Sequence, residues 1–96
     1  METYILKKSD RKGKRFVIEM DGMKHHFGSD VGKTYIDGRT DKEKQAWIAR
    51  HRVNKNWDNP HSGIYYSRYL LWTERSLKDA IKALERKDNI KINIKM

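Results

Sequence analysis

The sequence contains no cysteine, which excludes a disulfide scaffold and any zinc site that needs thiolate ligands. It has one proline and six glycines, too few for a low-complexity chain. No apolar run approaches the roughly 18 residues that a membrane span needs, and the opening METYILKKSDRKGKR lacks the apolar stretch of a secretory signal. We therefore expect a folded cytoplasmic protein with no membrane partner, in its own cell or in a host.

Positive charge is what the sequence has in excess. Its 22 Lys and Arg residues face 13 Asp and Glu residues, which gives a formal net charge of +9 in 96 residues and a pI near 9.9. Many small proteins are basic for solubility alone, but so large an excess is typical of proteins that bind a polyanion. We expect one basic domain over residues 1–96, with DNA or RNA as its partner.

Residues 3–27 predict three antiparallel strands. The last two are joined by Asp21-Gly22, a pair typical of a two-residue type I′ turn. Such a turn fixes the register, so that Met20 opposes Met23 and Glu19 opposes Lys24 as an exposed ion pair. Because side chains alternate along a strand, the core face would collect six residues: Phe16, Ile18, Met20, Met23, His25 and Phe27.

Three helices and a last strand are predicted after a loop at residues 28–39. Thr40 and Glu43 have the spacing of a capping box and would start a helix ending near residue 53. Residues 62–72 are apolar nearly all round, which indicates a buried helix. Ser76 would cap a third helix with an apolar stripe, and residues 90–96 alternate as a strand with isoleucine inward. The fold class is α+β: a small antiparallel sheet, made of a three-stranded meander plus the C-terminal strand, packed against about three helices.

Two groups of cations are candidate nucleic-acid contacts. The denser group lies in the connection between the first two predicted strands, where flexible side chains could follow phosphates. A solvated hairpin loop is an equally open interpretation of it. The other group lies on the first helix, where the cations do not form one stripe, so a solvated helix face is the favoured interpretation there. The predicted contacts are Lys7, Lys8, Arg11, Lys12, Lys14 and Arg15 in the connection, with Arg50 and Arg52 on the helix.

Aromatic residues lie among arginines in the second half of the chain, a combination that single-stranded nucleic acid uses for stacking. Most of these aromatics are better explained as core. Trp57 stands in a polar loop, where it either fills the core or meets a partner, and we take it as the candidate stacking residue.

No catalytic or metal site is predicted, and no cofactor. The four histidines include no pair at helical spacing on one face, and His25 is expected to be a core residue bonded to a backbone or tyrosine oxygen. The central acids are Asp37, Asp41, Glu43 and Asp58, and we interpret them as turn, cap and helix-start residues. The sequence thus favours a protein without enzymatic activity.

Several short motifs occur in the order HFG, IARH, NW, SRYLLW and SLKDAIK between residues 26 and 82. In this order the chain resembles, over roughly residues 16–87, a family of short uncharacterised proteins of large DNA viruses and phages. The resemblance implies a viral origin and carries no activity or binding residue with it.

The functional hypothesis is a small non-enzymatic viral protein that binds nucleic acid through backbone phosphates with little sequence specificity. The main alternative is a minor virion component or an effector that binds a host protein. In that case the first strand or the last strand would be an open sheet edge that pairs with another chain or forms a homodimer. A small metal-dependent nuclease is the third hypothesis.

Overall fold

The computed structural model describes all of residues 1–96 and contains four strands and three α-helices. In chain order these are β1 (Glu2–Lys8), β2 (Lys14–Met20), β3 (Met23–Ser29), α1 (Asp41–His51), α2 (Gly63–Leu71), α3 (Leu77–Asp88) and β4 (Ile90–Ile94). The strands form one sheet in the order β3-β2-β1-β4. The predicted α+β class is confirmed, with the meander at the N-terminus and one strand at the C-terminus.

The hairpin of β2 and β3 has the predicted register. Asp21 and Gly22 have φ angles of 47° and 74°, as a type I′ turn requires. Met20 pairs with Met23, and the register continues without a slip to Phe16 opposite Phe27. On the outer face, Glu19 lies 3.6 Å from the ammonium group of Lys24, so the predicted ion pair is present.

The sheet is mixed, not wholly antiparallel as expected, because β4 runs parallel to β1, with Tyr4 opposite Ile92. The helices carry the chain from the end of β3 back to the start of β1, and β4 begins there. β1 therefore lies in the interior of the sheet, and β4 and β3 form its two edges. An open first strand, one form of the alternative hypothesis, is thereby excluded.

The helices begin where their caps predicted. Thr40 and Glu43 form a complete capping box at α1, and the Ser76 hydroxyl accepts a hydrogen bond from the Asp79 amide at the start of α3. The segment predicted as a plain loop contains a short 3-10 helix, Tyr35–Asp37. None of the helices combines the length and the apolar character that crossing a membrane requires.

One face of the sheet packs against α2 and α3 and forms the core, which is centred on fully buried side chains such as Leu6, Ile18 and Tyr66. Two residues expected in this core lie at its margin: Met23 is 40% exposed and His25 is half-buried. Both stand on the edge strand β3, close to its turn. Val17 is buried although it points to the outer face, where its cross-strand neighbours are Lys7 and His26.

Candidate nucleic-acid interface

The basic connection between β1 and β2 is shorter than the sequence suggested. β1 continues through Lys8 and β2 starts at Lys14, so the turn itself consists of residues 9–13. Lys7 is part of the outer sheet face, and its ammonium group lies 3.1 Å from the carboxylate of Glu19. This contact, more than any other, lowers the pKa of Glu19. Lys7 therefore already has an anionic partner within the protein.

Arg15 is also engaged within the protein. Its guanidinium donates two hydrogen bonds to Asp37, at 2.6 and 2.9 Å. These bonds hold the pKa of the Asp37 carboxyl far below its usual value, with further help from the amide and hydroxyl of Thr34. Bidentate pairs of this kind have a fixed geometry. Arg15 thus anchors the 3-10 helix to the first residues of β2.

The other four predicted cations of this region form no ion pair, and Lys33 joins them. We call these five residues the basic end: Lys8, Arg11, Lys12, Lys14 and Lys33. Three of them, Lys8, Lys14 and Lys33, line a surface groove of about 610 Å³ together with Arg15. Two acids without an ion pair, Asp10 and Asp30, belong to the same region, so positive charge remains in excess there.

Lys33 was not among the predicted contacts, although the predicted hairpin register already places its loop beside the basic turn. Lys14 pairs with Ser29, so the loop that follows Ser29 has to begin beside the turn at residues 9–13. A hydrogen bond of 3.3 Å from the Asp30 amide to the Gly13 carbonyl joins that loop to the turn. The loop thereby brings Lys33 to the groove.

The cations near α1 differ in whether they already have a partner within the protein. The ammonium group of Lys44 donates to the Thr73 carbonyl at 2.9 Å and lies over the ring of Tyr35. Arg50 and Arg52 are exposed and form no ion pair. His51, which lies between them in the chain, lines a second cavity of about 340 Å³ that Lys14 and Lys33 also line. Lys14 and Lys33 therefore reach this cavity, whereas Arg50 and Arg52 do not line it.

Aromatic rings form the inner wall of that second cavity. Trp47 lies between His51, with centroids 4.4 Å apart, and Trp72, with centroids 5.2 Å apart and planes only 10° from parallel. Trp57 adjoins this stack at 5.8 Å from Trp47 and is half-buried. The guanidinium of Arg68 lies 4.1 Å from the Trp57 ring centroid, so a cation already covers one face of the residue we predicted to stack.

The four histidines have different surroundings, and the rings of His25 and His61 lie near each other, with centroids 6.3 Å apart. His26 is hydrogen-bonded to the Ser9 hydroxyl and His51 to the Trp47 carbonyl. The expected hydrogen bond of His25 is absent: its Nε2 is buried without a partner, because the nearest tyrosine, Tyr66, donates to the Pro60 carbonyl instead. No three His, Asp or Glu residues are grouped so that they could hold a metal ion.

The central acids all have structural partners. Asp37 binds Arg15 and Thr34, and Asp41 accepts hydrogen bonds from Tyr35 and Arg75. Glu43 completes the capping box of α1, which lowers its pKa. The remaining acid, Asp58, pairs with Arg68 at 2.9 Å.

No protein-family model, curated protein or solved structure matches this chain.

Proposed function

We propose that this protein binds nucleic acid, DNA or RNA, through the phosphate backbone and with little sequence specificity. The observation that carries the proposal is the basic end, a set of five exposed cations without carboxylate partners, three of which line one groove. A viral origin is part of the same proposal and rests on the sequence resemblance alone.

The distribution of ion pairs argues for the basic end over the other cations of the hairpin. A cation that already contacts a carboxylate would have to exchange that partner for a phosphate. Lys7 and Arg15 are in that position, so we do not assign them to phosphate contact. Lys12 and Lys14 can approach a phosphate without breaking any ion pair, and so can Lys33.

The chemistry of the contacts argues for backbone recognition. Lysine is a point charge on a flexible stem and needs no fixed geometry to neutralise a phosphate. Sequence reading requires side chains that present paired donors and acceptors to base edges in the groove. The basic end consists of four lysines and one arginine, and its arginine stands in an exposed turn.

Binding of labelled single- and double-stranded DNA and RNA across a salt series tests the proposal. We expect affinity to fall linearly with salt on a double-logarithmic plot. Each phosphate contact that is lost should make the slope shallower by about 0.7 to 0.9. Lys12→Ala, Lys14→Ala and Lys33→Ala combined should therefore weaken binding and flatten the slope by about two to three units if each lysine makes one contact.

A matched control removes the same amount of charge from the opposite end of the sheet. Lys82 and Arg86 lie on α3, and Lys91 lies on β4 opposite Thr3, at the start of β1; all three line one surface together with Met1. All three are exposed. Their combined change to alanine should leave the slope nearly unaltered. Equal effects of the two triple variants would contradict a localised interface, and absence of binding even at low salt would contradict nucleic-acid binding altogether.

A further inference from the structure

The groove is lined mainly by polar and charged residues, whereas the cavity next to it has an aromatic wall. The cavity of about 340 Å³ lies between the loop after β3 and helices α1 and α2. Its wall includes the stacked rings of Trp47, His51 and Trp72, and it has Lys14 and Lys33 in its lining. A volume near 300 Å³ is at the lower end of the range of small-ligand sites.

The two cavities are contiguous through shared residues. Lys14, Ser29 and Lys33 line both of them, so the same two lysines separate a polar groove from an aromatic cleft. A nucleotide likewise has a charged part and an aromatic part, because its phosphate is anionic and its base is a flat π system. A phosphate in the groove would place the attached sugar near Lys14 and Lys33, and the base could then enter the cleft.

We propose that the cleft accepts one unpaired base of a single-stranded nucleic acid, which stacks on His51 and Trp72, the two partly exposed rings of the cluster. This inference rests on the proposed function, and it adds a preference for single strands. A duplex keeps its bases paired and stacked, so it could use only the groove. Trp57 is not part of this site, because Arg68 already lies over its ring and it does not line the cleft.

Charge and polarity favour this occupant over an apolar peptide. Two ammonium groups stand in the lining of the cleft, and Ser29 and Ser67 add hydroxyls. An apolar side chain would have to remove these groups from water without replacing their hydrogen bonds. A base offers ring nitrogens and carbonyl oxygens to the hydroxyls while its face meets the aromatic rings.

An abasic strand separates base stacking from phosphate binding. We would measure the affinity of the wild-type protein for a short oligothymidylate and for an abasic strand of equal length at the same salt concentration. The two ligands carry equal charge, so any difference comes from the bases. Because stacking of one base on an aromatic side chain is a substantial contribution, we expect about tenfold tighter binding of the oligothymidylate.

The failures of the two proposals are distinguishable in this experiment. Equal affinity for the two strands, with a normal salt slope, would overturn the base cleft and leave phosphate binding intact. If neither strand binds at low salt, the proposed function and the cleft are both overturned.

Protein variants then test the assignment to this cleft. His51→Ala removes one ring of the cluster at the end of α1 and should lower the affinity for oligothymidylate while leaving the abasic strand unaffected. Its matched control is His61→Ala, because His61 is exposed and does not line the cleft. Trp72→Leu should act in the same direction, with its fold checked by circular dichroism. An equal loss for both ligands in His51→Ala would overturn the assignment, since that result indicates charge and not stacking.

Discussion

The guanidinium of Arg15 holds the carboxylate of Asp37 through two hydrogen bonds, across 22 residues of chain. Arg15 is the second residue of β2, and Asp37 is the last residue of the 3-10 helix. The pair thereby fixes the loop that carries Lys33 against the strand that carries Lys14. Arg15, which the sequence marked as a candidate phosphate contact, thus holds the groove together.

Arg15→Met and Asp37→Asn should each lower the free energy of unfolding. The side chains are 27% and 25% exposed, so solvent weakens the pair, and we expect about 1 to 2 kcal/mol for either change. The low pKa of Asp37 means that its contribution is present at neutral pH and is lost as the pH falls below about 4. Urea unfolding of both single variants and the double variant at pH 7 and pH 3 measures this. A cost of Asp37→Asn that is as large at pH 3 as at pH 7, or a coupling energy near zero at pH 7, would contradict the pair.

His25 should make the protein less stable in mild acid. Burial, with a smaller effect of His61, lowers the pKa of His25 in the folded state, and its ring stacks on Tyr66. The unfolded chain therefore takes up a proton more readily than the folded one. Stability should fall as the pH drops through about 6.5, the ordinary histidine value, and level off below the folded-state pKa. His25→Leu should reduce this fall, as measured by urea unfolding between pH 7.5 and pH 5. An unchanged pH profile in that variant would assign the fall to other groups.

The elements were predictable where the signal is local. Asp21-Gly22 specifies a turn whose geometry fixes the whole β2–β3 register, and Thr40 and Glu43 specify a helix start through bonds within one turn. These features depend on residues a few positions apart. The turn and the helix cap can therefore form without contacts from the rest of the chain.

The candidate site was only partly predictable, because its character depends on distant pairings. Four of its five cations stand out in the sequence, but the engagement of Lys7 by Glu19 and Arg15 by Asp37 requires the folded chain. β4 runs parallel to β1 because the three helices return the chain to the start of β1. No local sequence pattern specifies that path. The stack of Trp47 with Trp72 likewise joins α1 to the end of α2 across 25 positions.

Gly63 should resist substitution because the start of α2 lies directly against strand β3. A Cβ atom at this position would be 2.7 Å from the carbonyl oxygen of His26, and a backbone oxygen within a sheet cannot move aside cheaply. Gly63→Ala should therefore lower the free energy of unfolding by about 1 to 3 kcal/mol. Gly13→Ala is the comparison, since Gly13 has a φ of 83° but open space around it. It should cost about 1 kcal/mol from backbone strain alone. A smaller loss for Gly63→Ala than for Gly13→Ala would contradict the close approach.

Glu85 should keep the open edge of β4 from pairing with a second chain. Its carboxylate accepts a hydrogen bond from the Ile92 amide at 2.8 Å, and that amide is a donor that an incoming strand would need. Exposed Lys91 and Lys95 add repulsion between two copies of this edge.

We therefore expect the wild-type protein to be monomeric and Glu85→Ala to associate at high concentration. Lys82→Ala on the same helix is the control, because Lys82 forms no hydrogen bond or ion pair and is exposed. Size-exclusion chromatography with light scattering measures all three proteins. A wild-type dimer would contradict the expectation and favour the alternative in which β4 is an interaction edge. That dimer should then be disrupted by Ile92→Pro, which removes the amide.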